Sequence, residues 1–90
     1  MNSNNNETFF EFPCVFPLKV MGLSNENFES EIVTITRKHI SDWADATVQS
    51  KPSKNGKYTA VTLTFTAQSK TQLDDLYREI NTHPNVKMVL

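Results

Sequence analysis

The chain has 90 residues, with 9 basic and 10 acidic side chains, two glycines and one cysteine. That length admits one domain with one hydrophobic core, which buries about 60–65% of its unfolded surface, so stability is modest and a partner subunit would add to it. A net charge of -1 lacks the cationic excess of a dedicated polyanion binder, one cysteine forms no internal disulfide, and no run approaches the roughly 18 apolar residues of a membrane span.

Residues 1–8 are polar and asparagine-rich and are expected to be disordered. They lack the basic and apolar regions of an export signal. A cytoplasmic protein with no membrane association is therefore expected, and the Asn6-Glu7-Thr8 glycosylation match is empty. Phe9, Phe10 and Phe12 follow together. Each costs about 1.5–3 kcal/mol to leave in water, so they fold back on the domain or cover a partner.

From Val15 to Met21 the residues alternate. Phe16, Leu18 and Val20 form one face and Val15, Pro17, Lys19 and Met21 the other, which predicts a strand with the first set facing the core. Pro17 cannot donate a ladder hydrogen bond, so it belongs at an unpaired end or a bulge. Gly22 is expected to end the strand at a turn with positive φ.

Ser24 and Asn25 are N-cap candidates, and Glu26, Glu29 and Glu31 suit the positive end of a helix dipole. Phe28, Ile32, Val33, Ile35 and His39 then fall at helical spacing to about residue 40, with Arg37 and Lys38 in the last turns. Asp42-Trp43-Ala44-Asp45 breaks the pattern. A weakly apolar strand is expected from Ala46 to about Ser50, and a loop from Lys51 to Lys57 with Asn55-Gly56 as its turn signal.

Thr59, Val61, Leu63 and Phe65 alternate with Ala60, Thr62, Thr64 and Thr66, which predicts a strand with one apolar face. Ser69 with Gln72 three residues on is a capping box. Leu73, Leu76, Tyr77 and Ile80 continue it as an amphipathic helix, which Pro84 cannot extend. Val86 to Leu90 reads as a last strand.

The order is β-α-β-β-α-β. With right-handed crossovers it gives an α+β, ferredoxin-like domain over residues 9–90, a four-stranded antiparallel sheet with both helices on one face. The strands beginning at Val15 and Tyr58 occupy the middle.

The run Glu11-Phe12-Pro13-Cys14, with Phe16-Pro17-Leu18-Lys19-Val20-Met21-Gly22, resembles the start of the YbeD family of small bacterial proteins. Lys51-Pro52-Ser53-Lys54-Asn55-Gly56-Lys57-Tyr58 and Val86-Lys87-Met88-Val89-Leu90 are similar to its other marks. The resemblance implies a ferredoxin-like fold similar to the ACT-type regulatory domains that bind small effectors. In such domains the effector site lies near the turn that here is Gly22-Leu23-Ser24. Family members carry a lipoate-related regulatory label, although no residue of this sequence marks a lipoyl or octanoyl site.

Catalytic chemistry is absent from the pattern. Cys14 sits between Pro13 and Val15 with no histidine near it in sequence, and reads as a small buried hydrophobe. His39 and His83 are far apart and sit near helix ends. Two glycines do not make a phosphate loop. Neither an enzyme, a metal site nor a cofactor is expected.

Two surfaces remain. The sheet face turned from the helices is expected to carry Val15, Lys19, Met21, Tyr58, Ala60, Thr62, Thr64, Thr66, Lys87 and Val89. It suits a protein partner, a small effector or a second copy, and it equally suits an ordinary half-solvated face. The aromatic platform of an RNA-recognition sheet is missing. Lys51, Lys54 and Lys57 are either a solvated hairpin that guards an edge strand or a contact for an anion or an acidic partner. The Gly22-Leu23-Ser24 turn offers backbone N–H groups at a helix start, where a carboxylate or phosphate can bind. The leading expectation is a non-catalytic regulatory or adaptor domain. The alternative is nucleic-acid binding through Lys19, Lys51, Lys54 and Lys57.

Overall fold

The computed structural model describes residues 11–90. The expectations for residues 1–8, Phe9 and Phe10 lie outside the described residues. Six elements follow in order: β1 (Cys14–Leu23), α1 (Phe28–His39), β2 (Thr47–Pro52), β3 (Tyr58–Ala67), α2 (Lys70–Ile80) and β4 (Val86–Val89). The sheet runs β2-β3-β1-β4, every neighbouring pair antiparallel. This is the expected ferredoxin-like arrangement, with both helices on one face.

The alternation in β1 and β3 decides which face meets the helices. Leu18, Val20, Val61, Leu63, Phe65 and Ala67 are buried from the sheet side, and Phe28, Ile32, Leu73, Leu76 and Ile80 from the helices. Phe12 and Phe16 pack against this core. Trp43, which the sequence offered only as a break, closes one end by stacking on Phe65 with ring centroids 6.4 Å apart.

Pro17 sits where its missing donor is harmless. Lys19 exchanges backbone hydrogen bonds with Leu90 in both directions, so its N–H points toward β4. Pro17, two residues earlier, points the same way but lies outside the β1–β4 pairing, which among the described residues reaches no farther than Lys19.

Several expectations need correction. The Gly22 turn does not exist, because β1 runs on to Leu23 and the one glycine with positive φ is Gly56, at 78°. The glycine at position 22 is required by close approach instead. An added Cβ would lie 2.5 and 2.6 Å from two ring carbons of Phe28 and closer still to the Asn85 carbonyl oxygen. Because the strand is longer, Ser24 and Asn25 come too early to cap α1. Asn27 takes the N-cap position, and its N–H is met by Asn25 Oδ1 at 2.7 Å.

Lys51 and Pro52 belong to β2 rather than to the loop, since an edge strand tolerates proline on its free side. In β4 a bulge intervenes, with Met21 opposite Met88 but Gly22 opposite Val86. The extra residue turns both Lys87 and Met88 outward and leaves Val86 and Val89 against the core. Val89 is therefore not on the open face, and Met88 takes its place.

The capping box at α2 holds. Ser69 Oγ accepts from Gln72 N–H at 3.1 Å, and Gln72 Oε1 accepts from Gln68 N–H at 2.7 Å, one residue before the cap. Ser69→Ala removes an acceptor from a helix start, and the expected cost is about 1 kcal/mol, or roughly 4–8 °C in thermal midpoint. A circular-dichroism melt checks it, with Lys70→Ala as the control.

Candidate functional site

The helices cover one face of the sheet; the other carries the side chains that alternate outward. Two rows of the ladder cross its middle. Lys19, Thr62 and Gln49 stand side by side on β1, β3 and β2, and Met21, Ala60 and Lys51 form the next row. The central side chains are short and the flanking ones long, so the rows enclose a depression of about 400 Å³ that also reaches Tyr58 and Lys54.

Four residues singled out from sequence meet here: Lys19, Met21, Lys51 and Lys54. Lys57 lies beside them, its Nζ 5.4 Å from the centre of the Tyr58 ring. No acidic residue lines the depression. Among the described residues, Lys19, Lys51 and Lys54 form no ion pair, whereas Lys38, Lys70 and Arg78 each meet a carboxylate. Thr62 was placed on this face from sequence, but Gln49 was missed. Its signal was its spacing of two from Lys51, which needs the register of β2 on β3 to become visible.

The charge balance is uneven in space. The four strands contain Lys19, Lys51 and Lys87 but no aspartate or glutamate, whereas Glu29, Glu31, Asp74, Asp75 and Glu79 lie on the helices. The helices also carry Arg37, Lys38, Lys70 and Arg78 and are nearly balanced, so the near-zero net charge conceals a sheet that is cationic. The exposed large hydrophobics, Val15, Met88 and Leu90, fall on the sheet side too: Val15 alternates with core-facing Phe16, Met88 stands opposite Met21, and Leu90 is bonded to Lys19.

The Gly22-Leu23-Ser24 turn is not an anion site. Gly22 is buried. Leu23 N–H donates to Asn85 O and Ser24 N–H to Lys57 O, both at 2.9 Å. The β1 extension consumes the donors that the sequence left free. A second hollow near the start of α1 is lined by Glu26 and Glu31 along with His83, a poor lining for an anion.

Both histidines are latches between elements. His83 Nδ1 accepts from Asn85 N–H at 3.1 Å, which places the proton on Nε2 for donation to Glu31 Oε1 at 2.7 Å. His39 Nε2 meets Glu79 Oε1 at 2.7 Å, and Lys38 Nζ bonds the other oxygen of the same carboxylate. Cys14 opens β1, half-buried and unbonded to another cysteine. Among the described residues no group of three or more His, Cys, Asp or Glu side chains is placed to hold a metal, and no helix is long and apolar enough to cross a membrane.

Hydrogen bonds from Lys38 and then His39 hold the Glu79 carboxyl below its ordinary value of 4.5. A carboxyl lowered in the folded state adds stability above that ordinary value, and the gain is lost as the pH falls through the folded value. Urea midpoints of the native chain are therefore expected to drop more steeply below about pH 4.5 than those of Glu79→Gln. Parallel curves for the two proteins contradict the link.

A family model described as "Protein of unknown function (DUF493)" matches residues 7–90. The chain belongs to that family. It is 47% identical over 88 residues to a UPF0250 protein of Paraburkholderia phytofirmans, covering 98% of this chain and 99% of that one. It is 40% identical over 84 residues to a UPF0250 protein of Nitrosomonas europaea, covering 93% and 97%. The resemblance read from Glu11–Gly22 and its two companion segments is borne out.

Solved structures agree on the fold. A protein from Helicobacter pylori superposes with a TM-score of 0.76 at 14% identity, covering 100% of this chain and 94% of the other. The ACT domain from the GTP pyrophosphokinase of Chlorobium tepidum superposes at 0.64 with 12% identity, covering 86% and 83%. The fold of this chain is thus ferredoxin-like and similar to that of an ACT domain.

Proposed function

We propose that this chain is a non-catalytic regulatory or adaptor domain of the cytoplasm, which binds a partner protein or small effector through its open sheet face. The observation that carries this is the depression bounded by Lys19, Lys51 and Lys54, three cations without an acidic neighbour. Val15, Met88 and Leu90 add apolar contact on the same face. The ACT-like architecture supports the regulatory class. An effector acts by binding one assembly state better than another.

A face-to-face homodimer sets these lysines against their own copies, so the face suits an acidic counterpart better than a second copy. Nucleic acid is the second reading, favoured by the same clustering of cations. It is weakened by a face whose aromatic is Tyr58 alone among the strand residues turned outward.

Affinity purification of the tagged chain tests the proposal. The native protein is expected to carry its partner with it, and Lys19→Glu/Lys51→Glu is expected to lose it while melting at the same temperature. Unchanged co-purification by the double variant overturns the reading.

A further inference from the structure

The chemistry of the depression narrows what it can hold. Its floor is built from Ala60 and Thr62, the short side chains of the central strand β3. Met21 and the Tyr58 ring stand at its sides, and Lys19 and Lys51 lie at opposite ends of neighbouring rows. Strands pack about 4.8 Å apart. Lys19 on β1 and Lys51 on β2 are thus separated by two strand spacings, a distance that two lysine side chains close from either side. Lys54 enters from the hairpin.

We propose that this depression binds a compact dianion carrying an apolar body, a phosphomonoester or a dicarboxylate. The inference rests on the reading of the open face as the working surface and names what that surface takes. Three ammonium groups repel one another until an anion lies between them, and a doubly charged ligand offsets more of that repulsion than a single carboxylate. Lysines act as point charges and do not demand the planar fork that arginine prefers, so phosphate and paired carboxylates both qualify. The methyl groups of Ala60 and Thr62, the Met21 thioether and the Tyr58 ring leave the rest of the ligand an apolar bed. A volume of about 400 Å³ lies at the small end of ligand pockets and suits a small molecule over a polymer.

Amide shift mapping of the full 15N-labelled chain at low ionic strength tests this with four small probes: phenyl phosphate, phenylsuccinate, inorganic phosphate and phenol. At least one of the two amphipathic dianions is expected to shift the Met21, Lys51 and Ala60 amides saturably. It should bind about tenfold or more tighter than inorganic phosphate, with phenol inert. Lys19→Met/Lys51→Met is expected to weaken it by on the order of tenfold or more, with dispersed native spectra, while Lys70→Met on α2 changes nothing. Equal affinity for inorganic phosphate overturns the apolar half of the proposal. Absence of saturable shifts for both dianions overturns it outright, as does tighter, steeply salt-dependent binding of a single-stranded oligonucleotide. If the dianions fail while charge reversal still removes a co-purifying partner, this inference falls and the open-face reading stands.

Discussion

Gly22→Ala is expected to destabilise the protein by about 3 kcal/mol, a fall of roughly 12–24 °C in thermal midpoint for a domain of this size. The added methyl has nowhere to go. It would meet the Phe28 ring at 2.5 Å on one side and the Asn85 carbonyl on the other. The ring belongs to a side chain that is 1% exposed, and the carbonyl already accepts the Leu23 N–H that joins β1 to the approach to β4. Neither can retreat without breaking a contact of its own. Gly56→Ala is the informative comparison. That glycine has open space around its α-carbon but a φ of 78°, so it loses only about 1 kcal/mol. Chemical denaturation of the three proteins checks the ranking, and equal losses at the two positions contradict it.

Phe28→Ala is expected to cost about 4 kcal/mol. Phe28 opens α1, reaches across to Gly22 and holds His83 edge-on with centroids 5.8 Å apart. Truncation therefore opens a cavity and also loosens the histidine that ties α1 to the residues before β4 through Glu31 and Asn85. A domain of this length has a total stability of roughly 5–13 kcal/mol, so the variant is left close to unfolding. The two substitutions are not independent. Once the ring is gone, the alanine at position 22 clashes with Asn85 alone, and the double variant is expected to be at least about 1 kcal/mol more stable than the sum of the single losses. Additive losses in a double-mutant cycle would show that the ring is not what forces glycine at position 22.

The fold was legible because alternation and helical spacing name the buried faces directly. Leu18, Val20, Val61, Leu63 and Phe65 were placed on the core side by period two, and all are buried. Ends were harder. Gly22 looked like a turn because glycine marks both turns and close approaches, and only the position of Phe28 and Asn85 separates the two. The β4 bulge left no trace in Val86-Lys87-Met88-Val89, since either Val89 or Met88 could face outward until pairing with β1 fixed them. Of the candidate site, Lys19, Met21, Lys51 and Lys54 were singled out from sequence, but on separate surfaces, a strand face and a loop. Cross-strand register, not composition, makes them one depression.

The central claim is that the open sheet face, and not the helical layer, meets the partner or effector. Site-specific photo-cross-linking in living cells addresses it most directly, with the cross-linking residue replacing Thr64 on the open face or Thr34 on the exposed side of α1. Adducts from position 64, lost on Lys19→Glu/Lys51→Glu and missing from position 34, are the expected result. Adducts formed from position 34 and not from position 64 would contradict it.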